Sequence, residues 1–67
     1  MVKIQLNGRN LKFSNKYSIA ILLKKYKIES KKVAVELNGK IINRNKYKLI
    51  YIKNKDKIEI VHFIGGG

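Results

Sequence analysis

The sequence predicts an α+β domain in which a sheet of four to five strands carries one amphipathic helix across one face. Three observations point there. Two Asn-Gly pairs, Asn7-Gly8 and Asn38-Gly39, sit between alternating apolar residues; a stretch of helical periodicity lies between them; and the run Lys57 to Ile64 is the most β-prone in the chain.

Val2, Ile4 and Leu6 alternate with Lys3 and Gln5, the period-two pattern of a half-buried strand. Asn7-Gly8 supplies the two positive-φ positions that a tight hairpin turn needs. Leu11 and Phe13, alternating with Lys12 and Ser14, then predict a second strand folded back on the first. Ser18 suits a helix N-cap, and Ile19, Leu22, Leu23 and Tyr26 follow at the spacing of one helical face. Lys24, Lys25 and Lys27 crowd the far end, where cations complement the helix dipole.

Residues 28 to 32 read as a loop. Val33, Val35 and Leu37 form the next alternating run, Asn38-Gly39 repeats the turn, and Lys40 to Ile42 start a short return strand. Residues 43 to 48 read as a polar connection that Tyr47 can pin. Leu49 to Ile52 are compatible with either a strand or a helical turn. Asn54 to Asp56 form a turn before the last strand, Lys57 to Ile64, in which Ile58 and Ile60 share the core face. Val61 and Phe63 share the opposite face with Lys57 and Glu59. Two readings of that face stay open: an exposed docking patch beside the chain end, or a surface covered by residues 49 to 52.

Sixty-seven residues make one domain, which buries only about 60% of the surface its unfolded chain exposes. That leaves little room for an internal active site. With no cysteine there is neither a disulfide framework nor a thiolate metal site. The chain has no apolar leader-like stretch and no run of the roughly 18 apolar residues that a membrane span needs. An intracellular protein, in a cytoplasm or an organelle stroma, is therefore expected.

Glu29, Glu36, Asp56 and Glu59 are the only acids, and no two are spaced for paired acid/base work. The serines lack a nucleophile-elbow context, and His62 alone makes neither a triad nor a metal site; it reads as a surface or rim histidine. The side chains predict no enzyme and no bound cofactor or metal. A net charge of +12 invites a small basic nucleic-acid-binding module, with Tyr17, Tyr26, Tyr47 or Tyr51 stacking on bases. Against it, fourteen of the sixteen cations are lysines spread along the chain, and only Arg9 and Arg44 carry the guanidinium fork that phosphate and base recognition favour.

What remains is the glycine tail, Gly65-Gly66-Gly67, after an apolar strand. The segments Ile4-Gln5-Leu6-Asn7-Gly8, Val33-Ala34-Val35-Glu36-Leu37-Asn38-Gly39 and, above all, the twelve residues from Asp56 to Gly67 resemble the ThiS family of sulfur carriers in thiamine biosynthesis. Asn54-Lys55-Asp56, where the family often has Asp-Gly-Asp, and Asn43-Arg44, where Pro-Arg is common, are departures that leave the tail untouched.

The resemblance implies a ubiquitin-like β-grasp domain over residues 1–64, with a mixed sheet, and a flexible tail over 65–67. It implies that an adenylyltransferase of the ubiquitin-activating type, ThiF-like and using ATP and Mg, activates the Gly67 carboxylate. A sulfur donor, such as a cysteine desulfurase or a persulfide protein, then makes it a thiocarboxylate for a ThiG-like thiazole synthase. Gly65 and Gly66 would give the tail its slimness, and Val61, Phe63 and Ile64 are the expected docking residues. The molybdopterin-synthase small subunit and ubiquitin-like modifiers share the Gly-Gly end and are the nearest rival readings.

Overall fold

Both asparagine-glycine pairs turn the chain as expected, with φ of 49° and 80° at Asn7 and Gly8 and of 53° and 86° at Asn38 and Gly39. The structure, a computed structural model, describes residues 1–63. Among them are the strands β1 (Val2–Leu6), β2 (Arg9–Phe13), β3 (Val33–Leu37), β4 (Lys40–Ile42) and β5 (Lys57–His62), one α-helix, α1 (Ile19–Lys25), and two 3-10 turns, Ser30–Lys32 and Arg44–Lys46, within the expected loop and polar connection.

The sheet order is β2-β1-β5-β3-β4. Each Asn-Gly turn makes an antiparallel hairpin, β1 with β2 and β3 with β4. The last strand inserts between them, parallel to β1 and antiparallel to β3, so the sheet is mixed. Its central place explains why β5 is the most β-prone run. Its even positions Ile58 and Ile60 are buried with Ile4, Phe13, Val33 and Val35 against Ile19, Leu22 and Leu23 of α1.

The helix is shorter than its periodicity suggests. The closing bonds run from Lys27 N–H to Lys24 C=O (3.1 Å) and from Ile28 N–H to Leu23 C=O (2.9 Å), with Lys27 at φ 57°. This is a Schellman end with lysine where glycine is usual. Tyr26 thereby becomes the C-cap and stands 41% exposed instead of joining the apolar face.

At the other end, three of the orphan N–H groups find partners outside the helix. Ile19 donates to Ile50 C=O (3.0 Å), Ala20 to Tyr47 C=O (2.9 Å) and Ile21 to Ser18 Oγ (3.2 Å). Ser18→Ala should cost about 1 kcal/mol, read as a lower urea midpoint at unchanged slope; an unchanged midpoint would show the cap to be idle.

These bonds also place the undecided stretch. Residues 49 to 52 form neither a ladder strand nor a helix: Tyr51 makes an isolated bridge with Ser18, and Ile52 N–H donates to Tyr17 C=O (2.8 Å). The segment runs along the helix N-terminus, on the helix side of the sheet, with Ile52 buried. Tyr47 is the expected pin. Burial pushes its phenol above the ordinary 10.0, partly offset by a backbone hydrogen bond at Val35 and by the Arg44 guanidinium.

Candidate functional site: the end of the central strand

With residues 49 to 52 committed to the helix side, nothing among the described residues covers the other face of the sheet near the end of β5. Val61 is 55% and Phe63 49% exposed, as strand parity predicts for an open face. Ala34 lies directly across from Val61, and Ile41 across from Glu36. Ile41 is 74% exposed, and Ala34, Ile41 and Phe63 line one shallow groove. The apolar patch is thus wider than Val61 and Phe63. Ile41 escaped notice in the sequence because its face depends on the register of β4 against β3, although the Asn38-Gly39 turn fixes that register.

The strand that carries the patch is held on both sides almost to its end. Toward β3, Phe63 N–H donates to Lys32 C=O (2.9 Å). Toward β1, the backbone ladder stops at Leu6, and Asn7 takes over. Its N–H donates to Ile58 C=O (2.9 Å), its Oδ1 accepts from Ile60 N–H (2.7 Å) and its Nδ2 donates to Ile60 C=O (3.2 Å). One side-chain amide thereby does what the next residue of a strand would do. Reading Asn7 only as a turn residue missed this, since its partner lies 53 positions away.

His62 is exposed, as expected of a rim residue, and the described residues contain no group of three His, Cys, Asp or Glu that could hold a metal ion. No helix among them is long and apolar enough to cross a membrane. Ile64, Gly65, Gly66 and Gly67 lie outside the described residues. The described residues therefore form a strand clamped through Phe63 beside an open apolar face.

A sequence profile of the ThiS family matches residues 3–67. The chain belongs to the ThiS family. It is 43% identical over 65 residues to the sulfur carrier protein ThiS of Bacillus subtilis, covering 96% of this chain and 98% of that one. A crystal structure of the thiamine biosynthesis protein ThiS from Geobacter metallireducens superposes with a TM-score of 0.84 at 28% identity, covering 98% of this chain and all of that one. The fold is therefore the ubiquitin-like β-grasp, and the protein is a sulfur carrier of thiamine biosynthesis, not a catalyst. Among the readings that share the Gly-Gly end, that places the chain on the thiamine branch. The chain is also 39% identical over 66 residues to a thiazole synthase of Paramagnetospirillum magneticum, matching 98% of this chain but only 20% of that longer protein.

Proposed function

We propose that ThiS-family membership is realised here through Gly67, whose carboxylate becomes a thiocarboxylate. A carboxylate oxygen attacks the α-phosphorus of ATP on an adenylating enzyme, and pyrophosphate leaves. A persulfide sulfur attacks the acyl carbon, AMP departs, and a thiol cleaves the remaining S–S bond to leave the thiocarboxylate and a disulfide. ATP and Mg belong to the adenylating enzyme, and the persulfide to a separate donor such as a cysteine desulfurase. The carrier itself supplies the acyl group and the handle. The thiocarboxylate then donates sulfur to thiazole synthase, in a cytoplasm or an organelle stroma.

The observation that carries this reading is the clamped strand. β5 is fixed through Phe63 beside the open patch of Val61, Phe63 and Ile41, so a partner that docks there meets the tail at a defined distance. The four residues beyond Phe63 span about 13–14 Å when extended. Ile64 joins the docking candidates as the first of them. The alignment with the Bacillus subtilis carrier, nearly end to end in both chains, supports Gly67 as the reactive terminus. A carrier-like segment within the longer thiazole synthase supports that enzyme as the sulfur acceptor, since joining two proteins in one chain raises their effective concentration.

Intact mass tests the proposal directly. Incubation with ATP, the adenylating enzyme and a sulfur donor should convert the protein to a species in which one oxygen is replaced by sulfur, located to Gly67 by fragmentation. A protein that stays at its starting mass under conditions that load a known carrier would refute it.

A further inference from the structure

The open face bears a second feature beside its apolar patch. Glu36 of β3 and Glu59 of β5 are direct cross-strand partners on that face, and Ile41 of β4 stands on the other side of Glu36. One step along the strands, about 7 Å away, comes the apolar row of Ala34 and Val61. Two of the four acids in a chain of net charge +12 therefore face each other across one rung. Like charges placed directly opposite in a sheet are destabilising.

The chain has sixteen cations with which to relieve this pair, yet among the described residues neither glutamate takes part in an ion pair; the one present joins Lys32 to Glu29 at 3.8 Å. Lys57 lines the same small notch as the two glutamates without bridging them. Around the apolar groove the charge is of the opposite sign, with Lys31 and Arg44 on its rim. The face thus presents a basic rim, an apolar floor, and a single acidic spot at the floor's inner edge.

We propose that this face is the docking surface for a protein partner whose complementary surface carries one arginine or lysine beside an apolar side chain, the cation seated between Glu36 and Glu59 and the apolar group on Val61, Ile41 and Phe63. This rests on the carrier reading above and adds to it the chemistry of the partner. The apolar floor supplies the contact area, while the acidic pair sets register. Elsewhere on this basic surface a partner's cation is repelled, so only one placement of the partner satisfies both groups. Seated in that placement, the partner's active site meets a tail of fixed length.

The test measures binding of the full chain to the adenylating enzyme and the thiazole synthase of its own organism, at low and moderate salt, alongside loading by intact mass. E36Q/E59Q should weaken at least one of the two complexes by about 10-fold, and E36K/E59K by about 100-fold or more. E36Q/E59Q should melt no lower than the parent, because it removes an unfavourable pair, whereas E36K/E59K keeps a like-charge pair and its affinity is corrected for the folded fraction. V61A/F63A should weaken the same complex. Charge reversal of one basic residue on the partner should restore binding to E36K/E59K.

Unchanged affinity of E36Q/E59Q for both enzymes would overturn the acidic-pair assignment, as would self-association of the free chain through this face in sedimentation. These outcomes are separable from failure of the carrier reading. In that case the parent chain itself would acquire no sulfur, whatever its affinities.

Discussion

A chain lacking Gly66 and Gly67 is expected to accept no sulfur, with loading and transfer falling by more than about 100-fold, because even a 1 Å misplacement of reacting groups can cost that much. The reasoning is geometric. The strand is clamped to Lys32 on one side and to Asn7 on the other, so the body cannot yield to lengthen the tail. Only the residues beyond Phe63 provide reach, and removing two of the four shortens it by about 7 Å.

The deletion also leaves Gly65 as the terminal residue, with its carboxylate drawn back toward Ile64. Folding should be indifferent, since the core is assembled from residues up to Ile60. The measurement is intact mass after incubation with ATP, adenylating enzyme and donor, with melting temperature as the control. A truncated chain that melts as before but loads at the parental rate would sink the assignment of Gly67.

How much of this could be read from the sequence depended on whether the signal was local. The hairpins were legible because Asn7-Gly8 and Asn38-Gly39 fix both turn and register within a few residues. The two faces of β5 were legible from parity alone. The end of α1 was not: its left-handed residue is Lys27 where the usual marker is glycine, so Tyr26 looked like one more apolar-face position.

Residues 49 to 52 had no period to read because their conformation is set by the helix they serve, through Ile50 and Tyr47 carbonyls that accept from Ile19 and Ala20. Asn7's hold on Ile60 and the pairing of Glu36 with Glu59 depend on which strands become neighbours, which the chain order alone does not state. Local chemistry was therefore visible, and the contacts that aim the tail were not.

Ile58→Ala should remove most of the domain's stability while leaving every proposed contact with a partner in place. Ile58 is fully buried in the central strand, opposite Leu6 of β1 and Leu37 of β3. Truncating such a side chain costs about 2–5 kcal/mol through lost transfer energy and the cavity left behind. A domain of sixty-seven residues has a total of only roughly 3–10 kcal/mol to lose.

Three positions further along the same strand, Val61→Ala should change stability by no more than about 0.5 kcal/mol, because its side chain is already half in water. Urea unfolding at constant slope separates the two: a large drop in midpoint for Ile58→Ala and almost none for Val61→Ala. Sulfur loading should then divide the other way when corrected for the folded fraction. Ile58→Ala, once folded, still offers the same face and tail and should load normally per folded molecule, whereas Val61→Ala should be fully folded and dock less well. If the folded fraction of Ile58→Ala failed to load, the inner face of β5 would have a role in presenting the tail beyond packing, and the division of labour between the strand's two faces would be wrong.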